Sequence, residues 1–196
     1  MRLKLLQVGE PVLREKAREL SREEILSEPI QALILFMHET LRDAPGVGLA
    51  APQVGEGIQL AVIEDLAEYW HDLSPEELAA RERTSVPFHV IFNPRIIAYG
   101  EQKVEFFEGC LSLNGFMAVV SRSREVVVEC LDQHAEPHTI RATGWYARIL
   151  QHEIDHLNGT MYIDRMKTST FMSVEHYRRL GKAPISSAAH RSEPKR

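Results

Sequence analysis

The chain has 196 residues, about the length of one domain that buries a hydrophobic core without disulfide bonds. Apolar residues make up 44% of it and charged residues 26%, a composition that excludes a disordered or fibrous protein. The formal net charge of -5 argues against broad phosphate binding, so we expect no direct nucleic-acid substrate.

The N-terminal stretch MRLKLLQVGEPVLREKAREL lacks the features of a targeting segment. Charged residues interrupt it too early for a signal core, and it contains acidic residues, which transit peptides avoid. No apolar run in the sequence reaches the roughly 20 residues of a membrane span, so no membrane partner is expected. We therefore expect a cytoplasmic protein without a signal or transit peptide.

The first predicted element is an amphipathic helix in SREEILSEPIQALILFMHETLRDAPG. Ser21 and Glu24 have capping-box spacing, and Pro29 suits a first helical turn. Five apolar residues recur at helical intervals: Ile30, Leu33, Ile34, Met37 and Leu41. The sequence DAPG at 43–46 ends the helix, because proline cannot continue the hydrogen-bond ladder, and a glycine-marked loop, GVGLAAPQVG, follows.

Six short β-rich runs come next, separated by turn residues, and they predict antiparallel sheet. They are residues 58–63, 89–97, 103–107, 117–120, 125–131 and 137–141. A polar, charged segment interrupts them at about 67–86, where SPEE from Ser74 is a helix-start signal, and we interpret this segment as a surface insertion. Cys130, in the fifth run, is interpreted as a small buried hydrophobe.

A second helix is predicted in TGWYARILQHEIDHLNG, with Thr143 as its N-cap and Gly159 just after its end. After about Gly181 the sequence lacks periodicity and apolar content, which predicts a disordered tail. The sequence therefore indicates one domain over residues 1–180 and a tail over 181–196.

The second helix contains the pattern HExxH, formed by His152, Glu153 and His156. Positions four apart lie on the same face of a helix, so both histidines can reach one cation, and the glutamate can address a water molecule beside it. A catalytic site needs a third protein ligand. The sequence alone leaves three candidates for it.

The first candidate for the third ligand is Tyr162, which stands where an extended zinc-peptidase pattern would have histidine. The second is Glu175, on a predicted helix further along the chain, as in thermolysin-like enzymes. The third is Cys110, where a thiol follows a glycine at the end of a β-rich run.

Three separated motifs resemble those of the peptide deformylases: GVGLAAPQ at 46–53, EGCLS at 108–112 and QHEIDHLNG at 151–159. The N-terminal GEPVLREKA is also similar to that family's opening segment, so the resemblance extends from about residue 5 to about residue 170. It implies an α+β fold with antiparallel β-sheets packed around a central metal-binding helix and an N-terminal amphipathic helix. It also implies Cys110, His152 and His156 as metal ligands.

Finer features are similar to the subgroup of that family found in organelles and in some bacteria. They are the FEGCLSLNGFMAVVSR run, the TGWYARILQHE helix and the insertion at 67–86. The transit peptide of the organellar forms is lacking, which makes a bacterial cytoplasmic enzyme the expected case.

The activity that the resemblance implies is hydrolysis of the N-formyl group from the initiator methionine of nascent polypeptides. A water bound to the metal would attack the formyl carbon, with Glu153 as general base and then general acid. The resemblance assigns the stabilisation of the oxyanion to the Gln53 side-chain amide and the Leu111 backbone N–H. Glu108 and Asp155 are expected to orient the metal-binding histidines through hydrogen bonds, although a surface charge explains Asp155 almost as well.

Substrate contacts are expected from two groups of residues, Gly46, Val47 and Gly48 in the loop and Trp145, Arg148 and Ile149 on the second helix. The glycines would permit close approach of an extended peptide, although turn formation alone also explains them. Trp145 and Ile149 would line the methionine pocket or pack in the core instead. Arg148 would contact the pocket or lie at its rim.

The cofactor implied by the resemblance is one divalent metal ion. Fe²⁺ is the expected physiological ion, and Zn²⁺, Ni²⁺ or Co²⁺ are able to occupy the site. The expected substrates are N-formylmethionyl nascent peptides. Transient ribosome association is a further expectation from Lys167, Arg178, Arg179 and Lys182, although a solvated basic face explains these charges equally well.

Two other interpretations of the sequence differ in function. A zinc peptidase would use His152, His156 and Glu175 as ligands, with Cys110 as a structural residue. A non-catalytic, metal-stabilised binding module would keep the ligands and would need neither Glu153 nor Gln53.

Overall fold

A computed structural model describes residues 2–71 and 73–180, and the predicted tail at 181–196 lies outside them. The α-helices are α1 (Arg22–Ile25), α2 (Glu28–Asp43), α3 (Pro75–Ala80), α4 (Gly144–Leu157) and α5 (Val174–Arg179). The strands are β1 (Gly48–Ala50), β2 (Leu60–Asp65), β3 (Val86–Tyr99), β4 (Lys103–Cys110), β5 (Leu113–Ser123), β6 (Glu125–Leu131), β7 (Pro137–Thr143) and β8 (Met172–Ser173). Short 3₁₀ helices lie at Pro11–Arg14, Ala51–Val54, Ala67–Tyr69, Tyr162–Asp164 and Thr168–Thr170.

The strands form two antiparallel sheets, one in the order β1-β2-β3-β6-β7 and one in the order β4-β5-β8. Helix α4 packs on the five-stranded sheet, and its buried residues Ala147, Ile149, Leu150 and Ile154 belong to that sheet's core cluster. The predicted α+β class with antiparallel sheets is confirmed. None of the described helices is long and apolar enough to cross a membrane.

The single N-terminal helix of the prediction is two helices, with a break at Leu26 and Ser27. Ser21 caps α1 in the predicted capping box with Glu24. Pro29 lies in the first turn of α2, as predicted, but it has no N–H to donate to the Ile25 carbonyl. The Gln31 side chain donates to that carbonyl at 2.8 Å instead. The prediction of one continuous helix was therefore wrong at this point.

The six predicted strands are present, and β6 has the predicted bounds, Glu125–Leu131. Two strands were missed. The prediction placed β1 in a loop, because the three residues Gly48–Ala50 are too few to show alternation, and the strand forms only by pairing with β2. The two-residue strand β8 likewise exists only through its pairing with β5. Cys130 lies in the core as predicted, where burial raises the pKa of its thiol to about 11.

The segment at 67–86 packs against the rest of the molecule at two points. Ser74 caps α3 in a capping box, which the sequence indicated. The carboxylate of Asp65, which is fully buried, accepts hydrogen bonds from the Trp70 indole and the Arg83 guanidinium, each at 2.8 Å. At the other end, a Cβ on Gly144 would lie 2.8 Å from the Arg81 carbonyl oxygen, so the segment contacts the start of α4 closely. The assignment of residues 1–180 to a single domain stays a prediction.

Candidate metal centre and substrate cleft

Three side chains from two elements meet beside the five-stranded sheet. Helix α4 presents His152 and His156 on one face, and β4 ends at Cys110 opposite them. The Cys110 Sγ lies 3.2 Å from His156 Nε2, and one ligand atom from each of the three residues lies within 4.8 Å of the others. One thiolate and two imidazoles suit zinc and other transition-metal ions, so this group could hold one such cation.

The other two candidates for a third ligand are placed differently. Tyr162 is buried, and its ring stacks against His152 at a centroid distance of 6.4 Å. Burial raises the pKa of its hydroxyl, so Tyr162 is held as a neutral phenol, a weaker ligand than a thiolate. Glu175 lies on α5 at the outer part of the cleft and is not grouped with the histidines.

Glu108 connects the candidate metal centre to a buried charged network. Its carboxylate lies 3.0 Å from His152 Nδ1 and accepts hydrogen bonds from Arg122 and Arg148. Burial alone would raise the pKa of Glu108, but the hydrogen bonds with His152 and Arg122 outweigh it and hold the pKa well below its ordinary range. Glu108 is therefore ionised and orients one imidazole, as the sequence predicted.

The predicted role of Asp155 in orienting a histidine was wrong. Its carboxylate accepts hydrogen bonds from Arg122 and Arg165 instead. Arg122 was not among the predicted site residues. A signal for it was present in the sequence, since this residue continues the alternation of the buried Ala118 and Val120 along β5. An arginine on the buried side of a strand carries a charge into the core and therefore requires carboxylate partners.

Glu153 lies on α4 between the two candidate histidine ligands. Its carboxylate is buried, and Oε2 has no hydrogen-bond partner among the described residues. Burial raises the pKa of Glu153 to about 7. A Cβ on Gly48 would lie 2.6 Å from Glu153 Cδ, so the absence of a side chain at position 48 makes room for this carboxylate.

Gln53 lies near Cys110 in space, and Leu111 is next to Cys110 in the chain. The Gln53 side chain is almost fully buried, and its Oε1 accepts a hydrogen bond from the Ala50 N–H. That bond directs Nε2 toward Ser112 Oγ at 3.2 Å and Cys110 Sγ at 3.6 Å. The Leu111 backbone N–H has no acceptor among the described residues. The Gln53 amide is thus directed toward the candidate centre, and the Leu111 N–H adjoins Cys110 in the chain.

A cleft of about 1120 Å³ opens from the candidate metal centre. Its lining includes all six residues predicted to contact substrate: Gly46, Val47, Gly48, Trp145, Arg148 and Ile149. Ile149 also belongs to the core. Trp145 is half-buried beneath guanidinium groups, with Arg81 at 4.9 Å and Arg83 at 5.3 Å from its ring centroid. Neither arginine was noticed in the sequence, because the segment at 67–86 was interpreted as surface.

Arg148 is buried and does not lie at the rim of the pocket. Only 3% of its side chain is exposed. Its guanidinium donates to Glu108 and to the carbonyl oxygens of Val104 and Val120. Part of Arg148 lines the cleft, while its charge is held by the network behind the candidate metal centre.

Comparison with known proteins identifies one family. The sequence model described as polypeptide deformylase matches residues 2–171. The chain is 46% identical over 172 residues to the chloroplastic peptide deformylase 1A of Solanum lycopersicum, which is 88% of this chain and 62% of that protein. It is 48% identical over 168 residues to the chloroplastic/mitochondrial peptide deformylase 1A of Arabidopsis thaliana, at 86% and 62% coverage. The chain thus spans 62% of the length of each plant relative.

Solved structures are similar over the same region. The class I type b peptide deformylase from Acinetobacter baumannii, solved with Met-Ala-Ser bound, has a TM-score of 0.75 at 29% identity, covering 85% of this chain and 99% of that one. A peptide deformylase from Synechococcus elongatus, solved in complex with actinonin, has a TM-score of 0.69 at 37% identity, with 84% and 79% coverage.

The expectation of a bacterial cytoplasmic location was wrong. The two plant relatives have chloroplastic and mitochondrial names, and the human relative, at 37% identity, is mitochondrial. The expectation depended on the composition of the N-terminal residues. A targeting leader is removed on import and contributes nothing to the folded enzyme, so those residues do not report the compartment.

Proposed function

The chain belongs to the polypeptide deformylase family, and from this premise we propose that it removes the N-formyl group from the initiator methionine of nascent polypeptides. The observation that carries the proposal is that Glu153 lines the cleft together with Cys110 and His152, which group with His156 as candidate metal ligands. The reaction is hydrolysis of a formamide C–N bond, which yields formate and a free amino terminus.

Cys110, His152 and His156 are the proposed ligands of one divalent ion. Fe²⁺ is the proposed physiological ion, and Zn²⁺, Ni²⁺ or Co²⁺ are alternatives that the same donor set accommodates. When bound, such an ion supplies Lewis acidity, which polarises the formyl oxygen and makes water a nucleophile near neutral pH. Glu108 holds the His152 imidazole in place through Nδ1, so that Nε2 is the nitrogen left for coordination.

Glu153 is the proposed general base and general acid. Its carboxylate takes a proton from the attacking water and delivers that proton to the nitrogen of the departing amine. The unpartnered Oε2 supports this role, because a buried carboxylate oxygen without a partner retains its capacity to accept a proton.

Gln53 and Leu111 are the proposed donors to the oxyanion that develops on the formyl oxygen. The Gln53 amide is held rigidly by Ala50, and the Leu111 N–H is available. Donors that are already in position stabilise the developing charge without reorganisation, and the loss of one typically lowers kcat by about 10² to 10³.

The peptide itself is proposed to bind along β1. This strand lies at the edge of the five-stranded sheet and contains Gly48, so an extended peptide can add to it through backbone hydrogen bonds. Gly46 and Val47 would continue that contact. Trp145, Ile149 and the aliphatic part of Arg148 line the inner cleft, where they would hold the methionine side chain.

Transient ribosome association is a finer proposal. Of the four basic residues that suggested it, Lys167 forms an ion pair with Glu105 at 2.6 Å, and Lys182 lies outside the described residues. Arg178 and Arg179 are therefore the basic residues to substitute first in a ribosome co-sedimentation assay.

The test is formate release from formyl-Met-Ala-Ser by protein purified anaerobically and loaded with Fe²⁺. We expect rapid release by the wild type and loss in Cys110→Ser and Glu153→Ala. Glu175→Ala is the matched control, because the zinc-peptidase interpretation requires Glu175 and ours does not. Absence of formate despite full metal occupancy and an intact fold would refute the proposed function.

A further inference from the structure

The cleft extends beyond the candidate metal centre to a charged wall formed by α5. Its outer lining includes Ser173, Glu175, Arg178 and Arg179. The volume of about 1120 Å³ exceeds the roughly 300–1,000 Å³ that is typical of a pocket for one small molecule. The cleft therefore has room for several peptide residues after the formylmethionine.

The position of α5 is fixed by two contacts with the sheet that carries Cys110. Ser173, which caps α5, pairs with Phe116 on β5, and β5 pairs in turn with β4. The rings of Phe107 on β4 and Tyr177 on α5 are 4.7 Å apart. Because adjacent strands are about 4.8 Å apart, the start of α5 lies about 10 Å from the end of β4.

The charges on this wall differ from those at the inner end of the cleft. Arg178 and Arg179 are exposed, and neither forms an ion pair with another described residue. The arginines of the inner cleft, Arg83 and Arg148, are instead held by buried carboxylates. With Glu175 as the single acidic residue of α5, the outer wall presents a net positive charge to a bound peptide.

We propose that Arg178 and Arg179 bind acidic side chains of the substrate downstream of the formylmethionine. The inference rests on the proposed function. The start of α5 lies about 10 Å from the end of β4, and the length of α5 adds about 9 Å to that distance. An extended peptide advances about 3.3 Å per residue, so its third to fifth residues reach this wall. The site thus favours formylated chains with Asp or Glu at those positions.

The test uses amidated formyl-Met peptides that carry one glutamate at the third, fourth or fifth position, each matched with a glutamine peptide. We expect kcat/KM to be about 1.5-fold to fivefold higher for the glutamate member of at least one pair, mostly through KM, which is the size of effect that exposed ion pairs give. The preference should disappear near 1 M salt, where the screening length falls to about 3 Å.

The variants separate charge recognition from a structural role. Arg178→Gln with Arg179→Gln should remove the preference, so that kcat/KM becomes equal for the glutamate and glutamine peptides. Arg178→Glu with Arg179→Glu should reverse it in favour of lysine peptides. The control is Lys16→Gln with Arg141→Gln, which makes the same change in charge at exposed sites outside the cleft and should keep the preference.

The possible results are distinguishable. Equal rates on glutamate and glutamine peptides at every position, or an equal loss on all peptides in the reversed variant, would overturn this inference and leave the proposed function intact. No formate from any peptide would instead count against the proposed function.

Discussion

Two buried carboxylates, Glu108 and Glu64, both accept hydrogen bonds from arginine, but only one of them contacts a candidate metal ligand. Glu64, on β2, accepts two hydrogen bonds from Arg42 at 2.9 Å and one from Tyr69 at 2.9 Å, with His38 at 3.3 Å. The Arg42 hydrogen bonds outweigh burial and lower the pKa of Glu64 to about 2. Glu108 is held by two arginines, Arg122 and Arg148, and by His152, and its pKa is lowered as well.

The difference between the two clusters shows that a displaced pKa does not by itself locate a functional site. Only Glu108 contacts a candidate metal ligand, His152. The solvent exposure of the arginine partners also differs, since the Arg42 side chain is 55% exposed and the Arg122 side chain is 3% exposed. Arg42 can return to water when its partner is lost, whereas Arg122 cannot.

The largest effect is expected from Glu108→Gln. It leaves two buried arginines without their shared carboxylate, which typically costs about 3–5 kcal/mol in the free energy of unfolding. Loss of the negative charge on the acceptor for His152 Nδ1 should also weaken metal binding by about 10-fold to 100-fold. Urea unfolding and competition with a chelator measure the two effects separately. Unchanged metal affinity would mean that Glu108, like Glu64, does not support metal binding.

A smaller effect is expected from Arg148→Met, which keeps the aliphatic part of the side chain. The carbonyl oxygens of Val120, which is buried, and of Val104, which is partly buried, each lose a donor, at a cost of about 1–3 kcal/mol, while Arg122 still holds Glu108. We expect metal affinity to fall by less than in Glu108→Gln. Arg42→Met is the matched substitution at the exposed partner, and an equal loss of stability in both variants would contradict the argument from burial.

Glu64→Gln should cost less than Glu108→Gln, about 1–2 kcal/mol, because its arginine partner is already half in solvent. Metal affinity and formate release should be unchanged, since Glu64 touches none of the candidate ligands. The same unfolding and chelator measurements apply. A large loss of metal affinity here would mean that the two clusters are coupled.

The smallest effect is expected from pH, which changes the contribution of Glu64 to the free energy of unfolding. The pKa of Glu64 is about 2 in the folded protein, below its ordinary value of 4.5, so ionised Glu64 favours folding. Its contribution is complete above about pH 4.5 and is lost as the pH falls toward 2. The stability difference between wild type and Glu64→Gln should therefore shrink across that window. If this stability difference is the same at pH 7 and at pH 3, the pKa of Glu64 is not lowered in the folded protein.

Much of the candidate site was predictable from local sequence. His152, Glu153 and His156 share a helix, and helical periodicity alone places both imidazoles on one face. The choice of Cys110 over Tyr162 and Glu175 was not local and came from a resemblance between motifs. Arg122 and Arg83 were missed because their carboxylate partners are distant in sequence, Glu108 and Asp155 for Arg122 and Asp65 for Arg83.

By itself, the sequence determined the turns, the caps and the periodic faces of the helices and longer strands, because these depend on neighbours within a few residues. Tertiary structure alone decided that β1 is an edge strand, that Gly48 makes room for Glu153, and that α5 lines the cleft. These features depend on pairing and packing between segments that are distant in sequence, and the residues around each segment do not indicate which partner it will contact.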